Sequence, residues 1–261
     1  MTNPKVAVLV ADTFGEPFES IKRDIQPRVW DFSQTIDVYY MIGVRPTKVE
    51  SFLNKFTDSV RYSKLWPLQR LFDRYQLALV ARRGHNVVKK GDELRVDIPE
   101  GLRYLGLKVI ECIKFLHEQN YDIIYKTTLS SLVNPKVFSG TIKKVQLDSP
   151  FYGGTPVNFG THPFVSGANL MINRRTSGII LSSLDYWDHG LLDDVAIGRL
   201  LEGRVAITPV RSINLSLPDD IDNYTNPELN EVMHFRCKSS NAYRNDVAIM
   251  SQALKRIQDA E

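Results

Sequence analysis

The stretch from Gly91 to Lys108, GDELRVDIPEGLRYLGLK, constrains the fold more than any other part of the chain. Its alternating apolar residues predict a strand that ends at Asp97. Apolar residues at spacings of three and four then predict an amphipathic helix that runs to about Gln119. That helix places its apolar side chains on one face, namely Leu102, Leu105, Val109, Ile113 and Leu116. A strand followed directly by such a helix is typical of a layered α/β domain.

The N-terminal third repeats this alternation. Lys5–Ala11 is almost wholly apolar, which predicts a central strand covered on both faces. A polar turn at Asp12 and Thr13 precedes a predicted helix that ends near Trp30, and a second strand covers Ile36–Ile42. This order suits a Rossmann-like nucleotide-binding half. Residues 44–90 are hard to interpret and resemble an insertion, with one predicted helix that runs from Trp66 toward Tyr75.

The second half continues with strands and helices but contains no linker or repeat. We expect a strand at Tyr121–Lys126, a glycine-rich loop from Tyr152 to Gly160, a strand at Phe164–Asn173 and a short helix near Asp193. A strand at Val205–Val210 and an amphipathic closing helix complete the pattern. The apolar residues of that helix are Tyr243, Val247, Met250, Leu254 and Ile257. One domain spanning residues 1–261 is the simplest arrangement.

Composition excludes several classes of protein. A net charge of +3, from 33 basic and 30 acidic residues, gives no patch dense enough to predict nucleic-acid binding. The two cysteines, Cys112 and Cys237, do not form a disulfide framework. The apolar N-terminal run is too short for a signal peptide, and no stretch reaches the ~18–20 apolar residues of a membrane span. We therefore expect a soluble cytoplasmic protein of microbial or viral origin.

Residues 91–108 resemble the segment GDILqvDFxDsYxNLTLK of the β-1,3-glycosyltransferase family, which includes the galactosyl-, N-acetylglucosaminyl- and Fringe-type enzymes. The match has no gap and includes Gly91, Asp92, Leu94, Val96, Asp97, Leu105, Leu107 and Lys108. Further landmarks follow in the family's order. The resemblance implies a single-domain A-type glycosyltransferase fold, with a nucleotide-sugar-binding half at about 1–134 and an acceptor or catalytic half at about 135–261.

A second landmark covers residues 126–134, KTTLSSLVN, where the family reads KtDDDvfvN. The family's acidic cluster holds a divalent cation that neutralises the donor's diphosphate. Here the three acidic positions are Thr128, Leu129 and Ser130, and neutral hydroxyl groups bind a hard cation far more weakly than carboxylates do. Alone, the segment would be only a strand end with a polar turn. Its flanking matches favour a donor site that has lost its metal ligands.

Two more landmarks lie downstream. Leu192–Gly198 resembles the family's (E/D)DVxxG motif, whose second acid is the catalytic base, and this implies that role for Asp194. Asp193 would then be the N-cap of the helix, which is also the ordinary interpretation of an Asp pair before an apolar run. Residues 163–170 resemble YPpYcsGaG, and Gly167 precedes Asp194 by 27 residues, which falls within the range of separations in the family. Without the flanking landmarks, an ordinary strand would explain this segment equally well.

A late histidine, His234, corresponds to one that often completes the metal shell in the family. Since the acidic cluster is missing, we expect no firm metal site, with at most a weakly held Mn²⁺ or Mg²⁺ at His234. A hydrogen bond to phosphate, helped by Arg236 or Lys238, is the alternative role for this histidine.

The resemblance implies an inverting transfer from a nucleotide sugar, expected to be a UDP-sugar, to a hydroxyl group of a glycan or glycoconjugate. The expected donor-binding residues are Thr13, Asp37, Lys108, Lys126, Thr127, Thr128 and Ser130. The expected acceptor-binding residues are Gly153, Gly154, Ser166, Gly167, Ala168 and Asp193. Two alternatives stay open: a catalytically inactive sugar- or nucleotide-binding protein on the same fold, and an unrelated nucleotide-binding α/β protein.

Overall fold

A large sheet and a small sheet organise the chain. The computed structural model describes residues 3–31, 36–60, 64–82, 85–159, 162–239 and 244–259. In chain order the strands are β1 (Val6–Ala11), β2 (Ile36–Val44), β3 (Val87–Lys90), β4 (Glu93–Pro99), β5 (Ile123–Thr128), β6 (Ser131–Val133), β7 (Tyr152–Phe159), β8 (His162–Asn173), β9 (Ile207–Pro209), β10 (Ser212–Leu215) and β11 (His234–Cys237).

Helices cover both faces of the large sheet. They are α1 (Phe18–Ser20), α2 (Gln26–Trp30), α3 (Lys48–Val60), α4 (Trp66–Ala81), α5 (Leu105–Glu118), α6 (Pro135–Lys144), α7 (Arg174–Ser182), α8 (Asp193–Leu201), α9 (Asn226–Leu229) and α10 (Asp246–Gln258). A π-helical turn at Ile21–Ile25 joins α1 to α2. None of the helices described is long and apolar enough to span a membrane.

The order of strands in the large sheet is β3-β4-β2-β1-β5-β8-β7-β9. Strands β4, β2, β1 and β5 are parallel, whereas β8 is antiparallel to both β5 and β7. The expected α/β class with a mixed central sheet is therefore confirmed. Ligands of open α/β sheets bind beyond the carboxyl ends of the parallel strands, and here Ala11, Val44 and Thr128 mark that edge. The small sheet, in the order β10-β11-β6, continues from β5 beside it.

Strand β1 is buried on both faces because it separates two apolar cores. Val6, Val8 and Val10 face one core, and Ala7 and Leu9 face the other. The second core is covered by the apolar stripe of α5, and the first by α10 and the small sheet. The two cysteines lie in different cores and are both free, which confirms that no disulfide joins them.

The glycine-rich segment predicted as a loop is instead strand β7, which pairs with both β8 and β9. Gly154 has a φ of 141°, and a Cβ there would lie 1.8 Å from the carbonyl oxygen of Asn169. The glycines were misread as a flexible turn because the requirement for close strand packing at this point is not visible in the sequence. Gly160, the predicted end of that loop, lies outside the described residues.

Residues 44–90 contain more structure than the sequence predicted. The helix expected from Trp66 is α4 and extends to Ala81, but α3 and the hairpin strand β3 were missed. The last predicted strand is short, with β9 covering Ile207–Pro209. The closing helix is α10, and Tyr243 of the predicted helix lies outside the described residues.

Candidate active site

The carboxyl edge of the parallel strands gathers the sequence landmarks from three separate segments. Strand β5 ends at Thr128, and its antiparallel partner β8 brings Gly167 and Ala168 beside that end. Helix α8 begins against the same part of β8, with Asp193 and Asp194 in its first turn. These three segments are far apart in the sequence, and the order of strands in the sheet brings them together.

A bulge in β8 shapes this edge. Four consecutive residues, 166–169, face only Thr155 between the paired positions of β7 and β8. The Asn169 side chain closes the bulge by donating to Thr155 Oγ1 over 2.9 Å. Bulges are common next to active sites because they redirect the backbone. Here the bulge turns the amide of Gly167 toward α8.

Asp194 is held by two backbone amides. Its Oδ2 accepts a hydrogen bond from Gly167 N over 2.8 Å, and its Oδ1 accepts one from Val195 N over 2.9 Å. Each carboxylate oxygen keeps a second lone pair. Burial, followed by the charge of Asp193, raises the pKa of Asp194 above its ordinary value. A carboxylate with a raised pKa is a stronger base than an exposed one.

Asp193 forms a buried ion pair with Lys126. Its Oδ2 lies 2.8 Å from Lys126 Nζ, and the two side chains are 4% and 3% exposed. The ammonium group also donates to the carbonyl oxygen of Gly167 over 2.7 Å. Asp193 Oδ2 therefore has the charge of Lys126 beside it without a well-directed hydrogen bond from any described residue. The pair joins β5, β8 and α8 under the site.

The structure corrects the expected capping role of Asp193. Helix α8 has Leu192 at its N-cap, with no side-chain capping hydrogen bond, and Asp193 is the first helical residue. Its carboxylate turns toward Lys126 because a buried ammonium group needs a charged partner.

Gly167 leaves the space that this arrangement needs. A Cβ at this position would lie 2.8 Å from Lys126 Nζ and 3.3 Å from both Asp193 Oδ2 and the Cβ of Asp194. We expect Gly167→Ala to displace the buried pair and to lower the free energy of unfolding by about 1–3 kcal/mol, measured by urea denaturation. Gly140→Ala is the matched control, because a Cβ there meets nothing within 4 Å in helix α6. We expect the control to be neutral or stabilising by up to ~1 kcal/mol. Equal effects of the two changes would contradict this interpretation of Gly167.

One expected donor-binding residue lies away from the carboxyl edge, and another has its ammonium group in a buried ion pair. Asp37 is the second residue of β2 and pairs with Ala7, so it lies near the opposite, amino edge of the parallel strands. Its carboxylate accepts a hydrogen bond from Tyr121 Oη over 2.6 Å. Lys108 is 2% exposed, and its Nζ lies 2.6 Å from Glu100 Oε1. The structure therefore places Asp37 away from the edge where donor binding is expected, and it holds the Lys108 ammonium group in a buried ion pair.

The remaining donor-binding candidates lie along the carboxyl edge. Asp12 directly follows the last residue of β1, and its carboxylate forms an ion pair with Lys22 over 2.8 Å. Thr13 is the next residue along the chain. Thr127 is fully buried and donates to the carbonyl oxygen of Ala168 over 2.9 Å. Thr128 is half-buried at the end of β5.

Four of the acceptor-binding candidates lie at two different places in the structure. Gly153 and Gly154 are enclosed between β8 and β9, so packing within the sheet accounts for both. Ser166 and Ala168 are half-buried in the bulge beside Asp194. Of these four candidates, Ser166 and Ala168 are the two that lie next to Asp194.

His234 and Arg236 lie on the same face of β11, and Lys238 directly follows the strand. His234 is 1% exposed, and its Nδ1 lies 2.9 Å from Ser212 Oγ. Burial and the charge of Arg236 lower the pKa of His234 to about 3, so the ring is neutral. Lys238 is exposed at the far end of this face. Arg236 lies between them and reaches the end of β5.

The positions of the family's acidic cluster do not fit a divalent cation. Arg236 Nη1 donates to Thr128 Oγ1 and, over 3.1 Å, to the carbonyl oxygen of Ser130. Leu129 is 1% exposed and packs in the core. The described residues contain no group of three or more acidic, histidine or cysteine side chains placed to hold a metal ion. The guanidinium group of Arg236 donates to the oxygens that would otherwise face such an ion. This position therefore already holds a positive charge.

Sequence interpretation missed two members of this cluster. Arg244 Nη2 donates to Ser130 Oγ over 3.1 Å, and Asp246 Oδ2 accepts from the same hydroxyl over 2.7 Å. Arg244 and Asp246 also form an ion pair with each other. The only local signal was an Arg-Asn-Asp run before an amphipathic helix, which by itself predicts nothing beyond the start of that helix.

Similarity to known proteins is confined to solved structures. The sequence matches no protein-family model, and no curated protein matches it. Among solved structures, the chain is similar to a glycosyltransferase involved in the glycosylation of the major capsid of PBCV-1, with 9% identity and a TM-score of 0.41. The alignment covers 98% of this chain and 100% of that one.

Proposed function

We propose that this chain is an inverting glycosyltransferase that moves a sugar from a nucleotide sugar, expected to be a UDP-sugar, to a hydroxyl group of a glycan acceptor. The observation that supports this best is the contact between Gly167 and Asp194. Two landmarks that the resemblance assigned to one active site are 27 residues apart and are joined by a 2.8 Å hydrogen bond at the carboxyl edge of the sheet.

In this proposal, Asp194 is the general base. As the acceptor oxygen forms its bond to the anomeric carbon, the Asp194 carboxylate takes the hydroxyl proton. The bond between the anomeric carbon and the diphosphate oxygen breaks on the opposite face, and the diphosphate leaves with the electron pair. The amide of Gly167 fixes the carboxylate, and the buried Lys126–Asp193 pair fixes the first turn of α8 beneath it.

A binding screen tests the donor class. Thermal shifts of the protein with UDP-, GDP- and TDP-sugars, each with Mn²⁺ and with EDTA, should show stabilisation by one nucleotide class. Occupancy at 100 times Kd adds about 2.7 kcal/mol to stability. Binding without turnover on any acceptor would favour the inactive sugar- or nucleotide-binding protein. Binding of no nucleotide sugar would contradict both.

The raised pKa of Asp194 predicts the pH dependence. The base works only when it is deprotonated, so activity is lost as the pH falls through the pKa of Asp194 in the folded protein, which lies above the ordinary 3.8. Asp193→Asn removes the neighbouring negative charge that helps to raise this pKa. We therefore expect the acid limb of the kcat/KM profile to move to lower pH in this variant.

Asp185→Asn is the control for the pH profile, because Asp185 is exposed in the segment that precedes α8. Its profile should overlay that of the wild type. An acid limb that is unchanged or moves upward in Asp193→Asn would show that the titrating group is not Asp194.

A further inference from the structure

We propose that the guanidinium groups of Arg236 and Arg244 bind the donor's diphosphate in place of a metal ion, with Asp246 as the positioning residue for Arg244. This inference rests on the proposed function, because it assigns the leaving-group half of the same site. It adds two residues, Arg244 and Asp246, that the resemblance did not indicate.

Arg236 lies where the resemblance places the metal ion of the family. The resemblance places metal-binding acids at Thr128, Leu129 and Ser130, and Arg236 Nη1 donates to the side chain of the first and the carbonyl oxygen of the third. Strand β11 fixes this approach because Arg236 pairs with Ser131, directly after the turn. A positive charge therefore stands where the family's cation would neutralise the diphosphate.

Arg244 adds a second guanidinium group to the same turn. Its Nη2 donates to Ser130 Oγ, and its side chain is 33% exposed, so solvent and ligands reach it. The guanidinium carbon lies 4.7 Å from the ring centroid of Phe18, which follows the polar turn at the end of β1. Arg244 thus stands between the carboxyl ends of β1 and β5, where an open α/β sheet binds phosphate groups.

Asp246 holds Arg244 in this place. The Asp246 side chain is fully buried, and its Oδ1 accepts hydrogen bonds from the amide and the hydroxyl of Ser239, both over 3.1 Å. Its Oδ2 accepts from Ser130 Oγ and from Arg244. Burial raises its pKa, but the hydrogen bonds from Arg244, Ser130 and Ser239 outweigh this and lower it. Asp246 is therefore ionised at neutral pH.

The charges and donors of the cluster suit a diphosphate. Two guanidinium groups against one carboxylate leave a formal charge of +1 at the turn. Within the described part of the chain, Arg236 uses only Nη1 in hydrogen bonds, and Arg244 uses Nε and Nη2. Nε and Nη2 of Arg236 and Nη1 of Arg244 can donate to phosphate oxygens. Arginine forks match phosphate geometry, and such bonds are stronger than neutral ones.

A purely structural role is the competing explanation. The cluster joins α10 to the turn after β5, so its loss would lower stability whether or not it binds an anion. The two explanations differ in anion affinity, which a structural tie would leave unchanged in any variant that still folds.

The test measures binding of inorganic pyrophosphate and of UDP to the full chain by calorimetry in EDTA. The wild type should bind both without metal. Arg236→Gln and Arg244→Gln should each raise Kd for pyrophosphate about 10- to 100-fold, as expected for a lost hydrogen bond to a charged group. The control is Arg211→Gln, because Arg211 is exposed and paired with Glu231 before β10, and its Kd should be that of the wild type.

Wild-type affinity for pyrophosphate in both arginine variants, or binding by the wild type only with added Mn²⁺, would overturn the inference. If Arg244→Gln does not fold, Arg244→Lys keeps the charge but loses the fork, and its Kd should still rise. The inference and the proposed function fail separately. Arginine-dependent pyrophosphate binding without any sugar transfer leaves the inference standing and removes the function. Sugar transfer that depends on Mn²⁺, together with normal pyrophosphate binding by both arginine variants, leaves the proposed function standing and removes the inference.

Discussion

Asp194→Asn is expected to lower the rate of sugar transfer by about 10²–10⁴-fold, the usual effect of losing a general base. Donor binding and thermal stability should stay nearly unchanged. The amide oxygen of asparagine can still accept the hydrogen bond from Gly167 N, which holds Asp194 Oδ2 at 2.8 Å, so the bulge in β8 keeps its contact with α8. The asparagine NH2 group cannot accept the second hydrogen bond, from Val195 N, so a loss of stability of no more than about 1 kcal/mol is expected. The amide cannot take a proton from the acceptor hydroxyl group. The measurement is turnover of the donor identified in the binding screen, with Kd of that donor measured in parallel.

Asp185→Asn serves as the matched control for turnover because it removes an exposed carboxylate shortly before the same helix. Its rate should equal that of the wild type. Normal turnover by Asp194→Asn together with loss of turnover in Asp193→Asn would mean that the assignment within the pair is wrong and that Asp193 is the base.

Lys126→Met is expected to lower the free energy of unfolding by about 3–5 kcal/mol, because it leaves the carboxylate of Asp193 buried without its charged partner. Lys126 and Asp193 are 2% and 3% exposed. The same change also removes the hydrogen bond from Lys126 to the carbonyl oxygen of Gly167. Urea denaturation followed by circular dichroism measures the loss.

The double variant Lys126→Met with Asp193→Asn separates charge from packing. It contains no uncompensated charge, so it should lose less stability than Lys126→Met alone. Lys114→Met, on the exposed side of α5, is the control and should change stability by no more than about 0.5 kcal/mol. If Lys126→Met behaved like that control, the buried pair would not stabilise the site.

Local patterns predicted the framework of the large sheet. The apolar run of β1 and the three-and-four spacing of α5 depend only on neighbouring residues. Strand β1 forms where it was expected, whereas α5 begins at Leu105, after a 3-10 turn at Leu102–Tyr104 that leaves Leu102 exposed. The resemblance assigned Gly167 and Asp194 to one active site from the order and spacing of the landmarks. The structure joins the two residues by a hydrogen bond, and the catalytic role of Asp194 stays a prediction.

The errors arose where the fold depends on pairing between distant segments. Strand β7 was predicted as a loop because its glycines satisfy close packing against Asn169, a contact that no local pattern shows. Asp37 was expected at the donor site, whereas its place at the start of a parallel strand puts it near the opposite edge.

Only one member of the guanidinium cluster, Arg236, was predicted from the sequence as a phosphate-binding residue, and its contacts were not predicted. Arg236 meets Thr128 only because β11 pairs with β6, and Arg244 meets Ser130 only because α10 packs against the turn between β5 and β6. The sequence showed that three acidic positions had been replaced. The resemblance indicated Arg236 as a phosphate-binding residue, but it did not indicate Arg244 or Asp246.

The anomeric configuration of the product tests the central claim most directly. Incubation of the protein in EDTA with its α-linked nucleotide-sugar donor and a glycan acceptor, followed by NMR of the anomeric proton, reports the outcome of the chemistry itself. A base that acts opposite the departing diphosphate predicts a β-linked product formed without added metal. An α-linked product would contradict inversion by Asp194, and the absence of transfer from any bound donor would contradict a glycosyltransferase.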